Sequence, residues 1–219
     1  RVFQVELALA MQKSETALNL LDSECSFGES FAGIFDLRKA DALFQAGRRD
    51  RAYVLYENAA ADLDFFRRHP HSLANWAELL YAKKEFAKAA KYYSLLSETL
   101  EDGYPEQKPL ADYRCAAALL RANDKVRARL LLSSINDDNP GTVAGLRSWL
   151  KLIDIDMLGD SIPPLLRIIS EYDEIVELAS SRAIREEAFF KKILACRISG
   201  EDLKAVKFLG RFFDEYWAG

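Results

Sequence analysis

Five alanines, Ala17, Ala52, Ala89, Ala128 and Ala205, stand 35, 37, 39 and 77 residues apart, each in the same setting of bulky apolar residues. A recurrence of this length constrains the chain more than any single motif does. One such unit is too small to bury its own apolar face, so the face has to be covered by the next unit in a stack. The fullest copy runs from Leu73 to Leu96. In it Trp76, Ala77 and Leu80 mark one face of a first helix, Lys84-Glu85 makes a turn, and Phe86, Ala89, Tyr93 and Leu96 mark one face of a second helix.

The other copies keep the same offsets. Val5 and Ala8 precede Gln12-Lys13, then Ala17 and Leu21; Ala40 and Leu43 precede Gly47, then Ala52, Tyr56 and Ala59. Cys115, Ala116 and Leu119 precede Asn123-Asp124, then Ala128, Leu132 and Ile135, closed by Pro140. Ile193 and Cys196 precede Ser199-Gly200, then Ala205, Leu209 and Phe212. The 77-residue step equals two units, which predicts a sixth, degenerate copy built on Trp149, Leu152, Ile153, Gly159, Pro163-Pro164, Leu165 and Ile169, with Leu165 or Leu166 at the small site. Two consecutive prolines are tolerated at a helix start and no deeper.

Composition agrees with helices throughout. Half of the chain is hydrophobic, enough for a substantial core, and no alternating valine- or threonine-rich stretch reads as a strand. The formal charge of −4 gives no electrostatic reason to bind nucleic acid. The longest apolar runs, such as Leu130 to Leu132, fall short of the roughly 18 to 20 residues of a membrane span, so no direct membrane insertion is predicted. Cys25, Cys115 and Cys196 are widely spaced with no CxxC pair, which excludes a zinc knuckle, and Cys115 and Cys196 fall on core offsets as inert thiols. Arg1-Val2-Phe3 enters a helical pattern at once, without an initiator Met, and reads as a piece of a longer protein.

The bulky-then-small pairs of the first helices and the Ala-x3-aromatic step of the second, Ala52 to Tyr56 and Ala89 to Tyr93, resemble the tetratricopeptide repeat. The resemblance covers essentially the whole chain. It implies an all-α fold, a right-handed α-α superhelix or solenoid of about six helix-turn-helix repeats forming a single array over residues 1–219. The repeat steps exceed the family's usual length of about 34 residues, and the connections Arg67-Arg68-His69-Pro70-His71 and Asp102-Gly103-Tyr104-Pro105 are expected to absorb the surplus as loops.

The resemblance also implies that first helices line a concave groove, where residues outside the core pattern read a partner. By offset these are Glu6, Leu37, Asp41, Phe44 and Gln45 early in the chain, Glu78 and Tyr81 in the fullest copy, Tyr113, Arg114 and Arg121 in the next, and Phe190, Lys191 and Arg197 near the end. Aromatics mixed with charges of both signs suit an extended peptide or a helix of a protein partner. A second surface, Phe213, Tyr216 and Trp217 in the aromatic-rich last helix, is a candidate terminal interface for self-association. Walker, GxGxxG, GxSxG and HExxH motifs are missing, His69 and His71 have no metal-ligand neighbours at suitable spacing, and adjacent carboxylates such as Glu186-Glu187 point in different directions on a helix.

The sequence therefore predicts a non-catalytic scaffold without cofactor or metal, binding a protein or peptide within a larger assembly of bacterial envelope or secretion type. The alternatives are a structural spacer or self-association segment, and a helical platform for a catalytic domain elsewhere. The compartment, envelope or cytoplasm, stays open.

Overall fold

The computed structural model describes residues 2–22, 32–159 and 163–217; Cys25 lies outside them. Thirteen helices and no strand occur among the described residues. They fall into two compact units, residues 1–123 and 124–219.

The first unit contains α1 (Val2–Ala10), α2 (Ser14–Asp22), α3 (Ala32–Gln45), α4 (Arg49–Ala59), the short α5 (Leu63–Arg67), α6 (Pro70–Ala82), α7 (Phe86–Gly103) and α8 (Lys108–Arg121). Helices adjacent in sequence pack together, and the first helices α1, α3 and α6 also lie side by side. The second unit contains α9 (Lys125–Asp138), α10 (Val143–Met157), α11 (Leu165–Leu178), α12 (Arg182–Ile198) and α13 (Asp202–Tyr216), with α10 beside α12.

One turn recurs between first and second helices. Gln12, Gly47, Lys84, Asn123 and Gly200 all have φ between 56° and 76°, the left-handed region. In four of these turns the following amide donates to the carbonyl five residues back: Lys13 to Ala8 at 2.8 Å, Arg48 to Leu43 at 2.8 Å, Glu85 to Leu80 at 2.9 Å and Glu201 to Cys196 at 2.9 Å. This is the Schellman closure, which satisfies carbonyls that a helix end would otherwise leave free. Five residues beyond each turn residue stands one of the five repeat alanines, each no more than 4% exposed. The alanines let second helices approach their neighbours closely, and the bulky residues fill the space beside them. Trp76, buried, has its ring 5.0 Å from that of Tyr53, 5.8 Å from Tyr56 and 5.9 Å from Tyr92.

The degenerate copy is present as α10 and α11, with Pro164 as N-cap of α11. Its small site differs from expectation. Leu166 is exposed and Leu165 half-buried, whereas Ile168 and Tyr172 are buried four residues apart, as Ala52 and Tyr56 or Ala89 and Tyr93 are. Ile168 therefore takes the alanine position. A single helical turn's shift of the apolar face is invisible to offset counting when several leucines and isoleucines compete for it.

The expected loops are also corrected. The chain between α4 and α6 forms α5, capped by Asp62, which accepts the Phe65 amide at 2.9 Å. His69 is the N-cap of α6, Pro70 its first residue, and His71 lies within it. Asp102 and Gly103 belong to α7, whose 18 residues absorb surplus length as helix. Cys115 and Cys196 are buried, and burial raises the Cys196 thiol pKa.

Two substitutions with opposite signs test this geometry. Lys84→Gly removes the strain of a side chain at φ 64° and raises stability by about 1 kcal/mol. Gly145 lies inside α10 with its Cα against the carbonyl oxygen of Asn139, so the Gly145→Ala methyl overlaps backbone and lowers stability by about 1–3 kcal/mol. Urea unfolding midpoints at constant m-value read both changes.

Candidate functional site

Counting from the left-handed turn residue places side chains of consecutive first helices opposite one another. Six residues before the turn stand Glu6, Asp41 and Glu78; nine before it stand Arg38, Asn75 and Arg114. Each acid of the first group accepts from the donor on the next first helix: Arg38 Nε to Glu6 at 2.5 Å, Asn75 Nδ2 to Asp41 at 3.0 Å, and Arg114 Nη1 to Glu78 at 3.1 Å. In the second unit Lys191 of α12 donates to Asp154 of α10 at 2.6 Å. Within each unit the first helices are thus tied by polar pairs that cross the candidate face.

Tyrosines of the second helices complete two of these nodes. Tyr56 donates to Asp41 at 2.7 Å, and Tyr93 to Glu78 at 2.9 Å. Burial, followed by the facing carboxylate, raises the pKa of both, and burial followed by Asp154 does the same for Tyr172. Each phenol is held neutral, and Tyr56 and Tyr93 act as donors. Asp41 is the most connected group: Arg38 at 3.1 Å, Tyr56, Ser72 at 2.7 Å and Asn75 all donate to it, and it is 4% exposed. Arg38 also reaches Ser72 at 2.9 Å and His69 at 3.4 Å. Desolvation and then the Arg38 charge lower the His69 pKa.

Several expected readers are therefore internal. Leu37 is fully buried core, because α3 is covered on that side by its neighbours. Asp41 is consumed by the network, and Tyr216 is buried against Phe189 and Phe212, with ring centroids 6.0 and 5.1 Å away. The Lys191 side chain is only 17% exposed and is shared between Asp154 and Glu187. Gln45 is exposed, yet its amide donates to the Leu9 carbonyl at 3.3 Å. Phe44 and Tyr113 are half-buried.

The accessible remainder is concentrated on α6 and α8. The Arg114 and Glu78 side chains are 46% and 48% exposed. Tyr81 is half-buried, edge-on to Phe86 at 5.2 Å, and Arg121, exposed, lies over the same ring at 5.1 Å. In the second unit Phe190 and Arg197 are exposed on α12, and Phe213 and Trp217 on and just beyond α13. One feature escaped the offset reading: Lys192, 3% exposed, lies 4.1 Å from the Phe189 ring and 4.5 Å from the Phe208 ring while donating to Asp173 at 2.5 Å. A buried lysine held this way by two aromatic faces and one carboxylate has no signature in spacing. Among the described residues no three His, Cys, Asp or Glu side chains converge as a metal site, and no helix is long and apolar enough to cross a membrane.

Solved structures share this architecture. BtubC (BKLC) from P. vanneervenii aligns over 98% of this chain and 94% of its own with a TM-score of 0.61 at 14% identity. The fold is the tetratricopeptide-repeat fold. YrrB, a tetratricopeptide protein with an unusual peptide-binding site, aligns over 85% of this chain and 87% of its own, TM-score 0.55, 14% identity. The kinesin light chain repeats of Podosopora anserina align over 81% and 91%, TM-score 0.56, 15% identity. No protein-family model and no curated protein sequence matches the chain.

Two predictions follow from the network. Asp41→Ala strands four donors in a buried site and lowers stability by about 3–5 kcal/mol, read by denaturant titration. In an alkaline titration of tyrosine absorbance, Tyr56, Tyr93 and Tyr172 ionise only with unfolding. Their folded pKa values are raised, so their contribution to stability is complete below the ordinary value near 10 and is lost as pH rises above it.

Proposed function

We propose that the chain is a non-catalytic scaffold that holds a protein or peptide partner on the face of its first helices, within a larger assembly. The observation that carries this reading is the pairing of accessible charge on α6 and α8 with half-buried aromatic rings of α6 and α7: Glu78, Arg114 and Arg121 beside Tyr81 and Phe86. Side chains of this kind supply buried area and register to an extended peptide without any reacting group.

The preformed geometry adds to the reading. Arg114 is held by Glu78, and Arg121 by the Phe86 ring, so little side-chain entropy is left to lose when a carboxylate or carbonyl of a peptide docks on them. The peptide-binding site named for YrrB, a protein of the same fold, supports the reading.

The test uses peptides recovered from a random display library on the immobilised chain. Arg114→Glu and Arg121→Glu weaken their binding at least about tenfold, equal to 1.4 kcal/mol or more, and Tyr81→Ala weakens it by a comparable factor. Circular dichroism stays unchanged, because all three side chains lie outside the core. Peptides that bind all three variants as tightly as the parent chain would overturn the proposal.

A further inference from the structure

Three turns of the first unit, at Gln12, Gly47 and Lys84, lie along one edge, and that edge carries more cations than it can pair. Two ion pairs run from one turn to the next: Arg48 donates to Glu15 at 2.7 Å, and Lys83 to Asp50 at 2.7 Å. Glu85 is taken within its own turn by Lys88 at 2.6 Å. From the residue before each turn to the fourth after it there is no further carboxylate. Lys13, Arg49, Arg51 and Lys84 occupy the same stretches, are exposed, and have no ion pair among the described residues.

This unpaired positive charge stands in a chain whose formal charge is −4, so the rest of the molecule is acidic. Stacking covers the faces of helix pairs and leaves their turns open, so further repeats on either side would leave this edge accessible. The cations form a row with one cluster per repeat. First helices α1, α3 and α6 pack side by side, and packed helices lie about 8–10 Å apart. A polyproline II chain brings every third side chain to the same side at intervals of about 9 Å, which matches that spacing. Acidic segments favour such extended conformations, because their charges repel one another.

We propose that the turn edge of the first unit binds an acidic, extended segment of another protein, with a carboxylate at every third residue facing Lys13, then Arg49 and Arg51, then Lys84. The middle turn supplies two guanidinium forks, whose planar donors match a carboxylate. A bilayer or a nucleic-acid duplex is broader than a single row and brings its charge against the acidic remainder of the chain. A single segment follows the row and avoids that repulsion. The surface uses none of the side chains assigned to the face of the first helices, so the two sites stand or fall separately.

Fluorescence anisotropy with the 219-residue chain tests the proposal, using a labelled peptide of four Glu-Pro-Ser triplets and an isomer of the same composition whose glutamates are contiguous. The spaced peptide binds at least about tenfold more tightly than the isomer, and its binding weakens as ionic strength rises from about 0.05 to 0.5 M. The double change Arg49→Glu with Arg51→Glu, and separately Lys84→Glu, each weaken it at least about tenfold. Helicity is unchanged, because these side chains are exposed and acidic groups suit the first turn of α4. Lys207→Glu, at an exposed lysine of α13 outside the row, alters binding by less than about twofold. A spaced peptide that does not bind, equal binding of the two isomers, full binding by both row variants, or an equal loss with Lys207→Glu would each overturn it. So would phosphatidylserine vesicles or a single-stranded oligonucleotide that bind more tightly than the spaced peptide and are weakened by the same row variants.

Discussion

A left-handed residue five positions before a buried small side chain sets the register of each helix pair in which it occurs. The Schellman closure at Gln12, Gly47, Lys84 and Gly200 stops the first helix at a defined carbonyl and aims the second back along it. The alanine that follows then falls at closest approach, where a larger side chain would push the axes apart. Once both ends of a turn are specified in this way, the neighbours of every side chain on the first helix are specified too. The polar ladder is a consequence of that register, since positions six and nine residues before successive turns face each other.

The ladder explains why a face rich in charge leaves few charged side chains unpaired. Asp41 and Arg38 satisfy each other's demand for partners, as Lys191 and Asp154 do in the second unit, and a buried carboxylate with four donors is held by the same low dielectric that would penalise any one of them left alone. Both members of a pair stay within reach of solvent at Glu78 and Arg114, and the acid alone does so at Glu6. Packing therefore takes the charged residues nearest the helix-helix seam. The aromatic-rich end follows the same rule: Tyr216 and Phe212 pack inward on Phe189, and the surface that stays open is a different stripe, Leu203, Val206, Phe213 and Trp217.

Periodicity alone determined the helical class, the turn positions and most of the core of this protein, because a 3.6-residue period and an invariant offset from turn to alanine are properties of local chain geometry. Trp76, Ala89, Tyr93, Cys115 and Cys196 were legible as interior residues for that reason. Only the tertiary structure decided which polar residues are used up inside. Asp41 and Glu78 occupy the same offset in their helices, and nothing local separates them. What separates them is the residue that the next helix brings opposite, with Ser72 and Asn75 closing over one and Arg114 leaving the other open. The same holds for Leu37, for Ile168 in the degenerate copy and for Lys192 between two phenylalanines. Burial is a relation between elements distant in sequence, and it is settled only when they meet.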